Sequence, residues 1–124
     1  MPFVSEQRRN EIIQQVLTAR AERVEFLAKM KARQSQGWVV AREAAKQLKV
    51  QFGATKVVLF GSMLDHHRMT EHSDIDLAVA GLSKADFFKA GAAIDRGQPF
   101  KIDLVMLETA PDFLTAAIED GTEL

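Results

Sequence analysis

Residues 57–79 constrain the fold of this chain most. They oblige one apolar strand to end in a small-residue turn and a second strand to open with acids. The segment reads Val57-Val58-Leu59-Phe60-Gly61-Ser62, then eleven residues, then Asp74-Ile75-Asp76-Leu77-Ala78-Val79. Side chains alternate faces along a strand, so Asp74 and Asp76 share one face while Ile75 and Leu77 take the other. Acids are poor strand formers, and like charges on one face repel. A divalent cation held between them is the economical explanation, and Mg²⁺ is the hard ion that combines one or two carboxylates with substrate phosphates. Gly61 lets the backbone approach a ligand closely, and Ser62 is placed to cap a following helix whose free N–H groups attract phosphate. Either half alone reads as ordinary: a helix cap, or acids in a solvated loop. Both together, framed by Val57–Phe60 and Leu77–Ala80, point to transfer chemistry on a nucleoside triphosphate.

A third acid extends the pattern. Lys101-Ile102-Asp103-Leu104-Val105-Met106-Leu107 is an apolar run of strand length with one carboxylate inside it. A buried carboxylate needs a partner. If this strand lies beside the one carrying Asp74 and Asp76, three carboxylates converge. Two would then hold metal, while Asp103 ligates a second ion or takes the proton of an incoming hydroxyl. The plain alternative is a surface aspartate on an edge strand.

The rest of the chain alternates elements around this segment. From Ser5 to Arg33 there is neither glycine nor proline, and Ile13, Val16, Leu17, Val24, Leu27 and Met30 form one apolar stripe at helical spacing. Gln34-Ser35-Gln36-Gly37 reads as a break, followed by a second helix that ends at Gly53. Trp38 is expected to anchor that helix on the core. Strands are predicted over 56–60, 74–80 and 101–107, with a short helix over 62–68. Ser83 is expected to cap a helix running to about Arg96, and Thr109 one that runs from Ala110 or Pro111 to Asp120 and stops at Gly121. The expected fold is therefore α/β in the α+β sense, a small mixed sheet with flanking helices. It divides into an N-terminal helical arm, 1–52, and a core, 53–124. So small a core is thin by itself, and the arm either packs on it or binds a partner.

Composition narrows the alternatives. The 124 residues include no cysteine, which excludes disulfides and thiolate metal sites and suits a cytoplasmic protein. The opening Met1-Pro2-Phe3-Val4 has no apolar stretch resembling a signal peptide, and no run is long enough for a membrane helix. The net charge of −1 hides an asymmetry: ten Lys and Arg against five Asp and Glu in 1–52, six against twelve in 53–124. An acidic core fits a carboxylate metal site, and most of the arm's cations read as a solvated face. His66 and His67 are adjacent and His72 lies in a loop, a poor arrangement for zinc.

Taken together, Gly61, Ser62, Asp74, Asp76 and Asp103 resemble the pattern of the minimal nucleotidyltransferases (MNT proteins) of the DNA polymerase β-like superfamily. The similarity spans about Phe52 to Leu124 and includes the ending Ile118–Leu124. The spacer after Ser62 is one residue longer than the commonest form, and Met63-Leu64-Asp65-His66 stands where many relatives carry an arginine and a glycine. The resemblance implies a polymerase β-like core with Gly61 and Ser62 binding nucleotide and Asp74, Asp76 and Asp103 as catalytic metal ligands. It implies Mg²⁺ as cofactor, ATP as donor of AMP, and a HEPN-domain ribonuclease toxin as partner, modified on a tyrosine by its antitoxin. Direct DNA binding is not expected. A small-molecule nucleotidyltransferase, and a silent module that neutralises its partner by binding alone, are the alternative readings.

Overall fold

The computed structural model describes residues 5–124; Met1–Val4, which open the expected arm, lie outside the described residues. Its elements run α1 (Glu6–Phe52), β1 (Lys56–Phe60), β2 (Ile75–Ala80), α2 (Lys84–Asp95), β3 (Ile102–Met106), α3 (Asp112–Glu119) and β4 (Thr122–Glu123). The strands form one mixed sheet in the order β3-β2-β1-β4. β1 pairs antiparallel with both β2 and β4, whereas β2 and β3 are parallel, joined by the crossover through α2. The α+β architecture expected from the sequence, a small mixed sheet with flanking helices, is the one observed.

Alternation along the strands gives the sheet two covered faces. Val57, Leu59, Ile75, Leu77 and Val79 pack against α1 and α2, together with Met30, Leu48, Ala90 and Ile94. Val58, Phe60 and Ala78 pack on the other side against Ile118 of α3. β1 and β2 are therefore buried on both faces over most of their length, and their near-continuous apolar sequence follows from that.

The N-terminal segment departs from the sequence expectation. The break at Gln34-Ser35-Gln36-Gly37 is absent, and α1 is one helix of 47 residues. Gly37 serves packing instead. It is buried, and a Cβ built there would lie 2.5 Å from Sδ of fully buried Met63. Close approach of the helix to that side chain outweighs the ~1 kcal/mol that glycine costs a helix interior. Gln34 and Trp38 both donate to the carbonyl of Met63, each at 3.0 Å, and so tie down the same turn. Trp38 is thus a partly buried anchor against the core. The helix starts under the Ser5 cap and ends at Gly53, whose φ of 74° places it in the left-handed region glycine favours.

Three further local differences have simple causes. The helix expected after Ser62 is two 3₁₀ turns, Gly61–Leu64 and His66–Arg68, because Asp65 adopts an extended backbone and caps the second turn through its side chain. Thr109 lies in another 3₁₀ turn, and α3 begins after Pro111. β4, which the sequence does not announce, forms where Gly121 lets the chain come so close to β1 that a Cβ on it would lie 2.6 Å from the Leu59 carbonyl oxygen. No described helix is long and apolar enough to cross a membrane.

Candidate active site

β2 and β3 carry the site on the face that α3 covers only in part. Their parallel register sets Asp76 directly opposite Asp103, and β1 sets Phe60 opposite Asp76 from the other side. Asp74 immediately precedes β2 and is close enough for its charge to act on Asp76. All three carboxylates are half-exposed. The ladder therefore sets two of the three acids that the sequence singles out side by side, with Asp74 at the adjoining end of β2.

Asp76 bears the electrostatic consequence. Burial pushes its carboxyl up to about 6, and the neighbouring charges of Asp103 and then Asp74 add to the rise. The one cation paired with this group among the described residues is Lys101, whose Nζ lies 3.6 Å from Asp103 on an exposed side chain. Carboxylate oxygens with so little compensation are donors of the kind that a hard divalent cation takes, although among the described residues the three do not close to within 4.8 Å of one another as a set. In chemical type, though not in closeness, these oxygens suit Mg²⁺.

Gly61 stands against Asp76. Its φ of 82° lies in the left-handed region, and a Cβ built on it would collide with Oδ2 of Asp76. No other residue type could hold this backbone so close to that carboxylate. Ser62 follows it, half-buried, within the first 3₁₀ turn. This turn is too short to present the row of free N–H groups that a full α-helix would offer, so Ser62 has its hydroxyl and its own amide to offer rather than a helix terminus.

The loop that follows holds a second group of potential ligands. Asp65, His66 and His67 have ligand atoms within 4.8 Å of one another. Asp65 accepts from the backbone N–H of His67 at 3.0 Å and meets its Nδ1 at 3.2 Å. The backbone hydrogen bond keeps the Asp65 carboxyl below the usual carboxylate range. Asp65 is thus already engaged within its own loop and stays ionised.

Sequence reasoning missed the side chains that brace the site from behind. Arg33 of α1 donates to the carbonyl of Ser73 at 3.2 Å, and its guanidinium stacks over Phe100 at 4.4 Å from the ring centroid. Ser73 precedes Asp74 and Phe100 precedes β3, so one residue braces both segments that deliver the acids. Lys29 adds an ion pair to Glu71 at 3.0 Å. Arg33 sits in a helix rich in exposed cations, and nothing in its spacing distinguishes it from them.

Comparison with known proteins gives the following. A family model described as polymerase beta, nucleotidyltransferase matches residues 42–124. No curated protein sequence matches the chain. Among solved structures, the chain is similar to one from the complex of a tri-AMPylated Shewanella oneidensis HEPN toxin with an MNT antitoxin. The identity there is 21% and the TM-score 0.52, over 70% of each chain. It is also similar to one from a mutant of the toxin–antitoxin pair MntA–HpeT, at 20% identity and a TM-score of 0.54, over 67% of this chain and 70% of that one. At such identities the likeness establishes a common fold.

Proposed function

The chain belongs to the polymerase β nucleotidyltransferase family, and from that premise we propose that it is an antitoxin that transfers AMP from ATP to a hydroxyl of a HEPN ribonuclease toxin, a tyrosine being the acceptor. The observation that carries this reading is the desolvated Asp76, opposite Asp103 on the parallel ladder and pressed against Gly61. A family member that had abandoned catalysis would have no reason to keep so costly a cluster. The solved structure of a tri-AMPylated HEPN toxin with an MNT antitoxin supports the choice of partner and of transferred group.

In this reading Asp74 and Asp76 would hold Mg²⁺, and Asp103 would be a ligand that also serves the incoming hydroxyl. When bound, the ion neutralises the triphosphate and stabilises charge developing at phosphorus. The bare Gly61 backbone leaves room for phosphate oxygens, and the Ser62 hydroxyl and amide donate to them. Asp103, at the margin of the cluster, accepts the proton of the incoming hydroxyl. The acceptor oxygen then bonds to the α-phosphorus, the bond from that phosphorus to the bridging oxygen breaks, and pyrophosphate leaves.

The test is transfer of label from α-³²P-ATP in the presence of Mg²⁺ to a cognate HEPN protein. Label on the HEPN protein is expected with the native chain. Asp74→Asn with Asp76→Asn should lower it by at least ~100-fold while leaving the circular dichroism spectrum unchanged. Undiminished labelling by the double variant would refute the metal assignment. Binding without any labelling would instead identify a contact inhibitor.

A further inference from the structure

The first half of α1 stands clear of the body. Every residue from Ser5 to Glu25 is exposed, and the first buried side chain is Met30. The family match begins at residue 42, so this arm lies outside what the chain shares with its family.

Its surface is sorted by chemistry. At ~100° per residue, Ile12, Ile13, Val16, Leu17 and Val24 fall on one stripe of the helix. Leu17 is 50% and Val24 68% exposed. Arg9 and Arg20 lie along the middle of that stripe, eleven residues or about 16 Å apart, and neither has an acidic partner among the described residues. Glu11, Glu22 and Glu25 occupy the reverse side. On the stripe side the one acid is Glu6, in the first turn.

The direction of the arm matters as much as its surface. Lys29 and Arg33, where α1 leaves the body, touch Glu71 and Ser73 in the loop that delivers Asp74. The other end of α1, at Leu48, meets Ala54 and so the start of β1, beside the far end of β2. The arm therefore extends beyond the end of the sheet where the three acids stand.

We propose that this stripe docks the protein that accepts the nucleotide, and that the acceptor offers an amphipathic helix whose apolar face carries carboxylates opposite Arg9 and Arg20. The inference rests on the protein-acceptor reading above and adds the surface that recognises it. Arginines set among aliphatic side chains select a face that is both apolar and acidic. A second copy of the arm would bring cations against the same stripe rather than acids. An anionic membrane is disfavoured because the arm has no aromatic residue between Ser5 and Glu25 to seat in the interface. Docking at this position holds the acceptor at the reacting end of the sheet, which raises its local concentration there.

The experiment measures calorimetric binding to a cognate HEPN protein, alongside labelling from α-³²P-ATP. The full chain is compared with Val16→Asp/Leu17→Asp, with Arg9→Glu/Arg20→Glu and with Arg9→Lys/Arg20→Lys. Both disruptive pairs should weaken binding by at least ~10-fold, and the lysine pair should retain most of it. All variants should keep the native melting temperature, since the altered residues are exposed. Native affinity in the disruptive variants, with labelling intact, overturns the docking surface but not the enzymatic reading. Arm-dependent binding without labelling does the reverse. Absence of binding overturns the docking surface. So does arm-dependent dimerisation of the chain alone by light scattering, or arm-dependent flotation with phosphatidylglycerol vesicles.

Discussion

Asp76 pulls stability and chemistry in opposite directions. Its carboxyl is raised to about 6 by burial and by its acidic neighbours, against an ordinary value of 3.8. Between those two pH values the folded chain retains a proton that the unfolded chain has released. Stability without metal is therefore expected to fall as pH rises from about 4 to about 6 and to level off above that. The loss should be on the order of 1–2 kcal/mol, less than the full shift implies because the side chain is half exposed. Urea denaturation in EDTA at pH 5 and pH 8 measures it. Asp76→Asn should abolish the slope and raise metal-free stability at pH 8, at the expense of transfer. Millimolar Mg²⁺ should stabilise the native chain at pH 8 and have much less effect on this variant. At this scale the sequence was informative. Two acids at alternate strand positions, a third inside another apolar run, and a glycine before a serine are each legible because each breaks a local preference. Arg33 breaks none: an arginine on a helix is unremarkable until the fold brings Ser73 and Phe100 to it.

Among the elements, α1 shows best how tertiary contact overrules local composition. A run of Gln, Ser and Gly reads as a helix stop, yet Gly37 is where the helix comes closest to the body. Helix propensity alone would have Gly37→Leu stabilise the protein. Packing opposes it, because a Cβ at 37 would already lie 2.5 Å from Sδ of the fully buried Met63 and a leucine adds further bulk that this thioether must yield to. We expect Gly37→Leu to destabilise by about 1–3 kcal/mol in chemical denaturation, the range for overpacked cores. Stabilisation would show that the helix can lift away from Met63. The strands were legible for the opposite reason: β1 and β2 are covered on both faces, so their apolar runs leave little choice of element. β4 was not legible, since two exposed residues become a strand only once Leu59 presents a free edge.

For the molecule as a whole, the helix divides into a part that serves the fold and a part that does not. Met30, Ala41, Ala44, Ala45 and Leu48 are buried against the sheet, and nothing before Met30 is. Removing residues 1–25 should therefore shift the melting temperature by no more than a few degrees, whereas removing 1–41 should leave a chain that does not fold cooperatively. Thermal unfolding followed by circular dichroism separates the two outcomes. The second truncation corresponds closely to the region that the family model matches, so this chain depends on a segment its family does not define. The sequence placed the arm beside the core and noted the opposite charges of the two parts. It could not say where along the helix attachment gives way to overhang, because that is decided by which residues meet the sheet.

The side-by-side pairing of Asp76 with Asp103 also frees the intervening connections from any duty of measurement. Hydrogen bonds between neighbouring strands fix the height of both acids, so the length of the crossover from Ala80 through α2 to Ile102 does not set their spacing. Evolution, or an engineer, can lengthen or recompose that crossover without shifting the two carboxylates against each other.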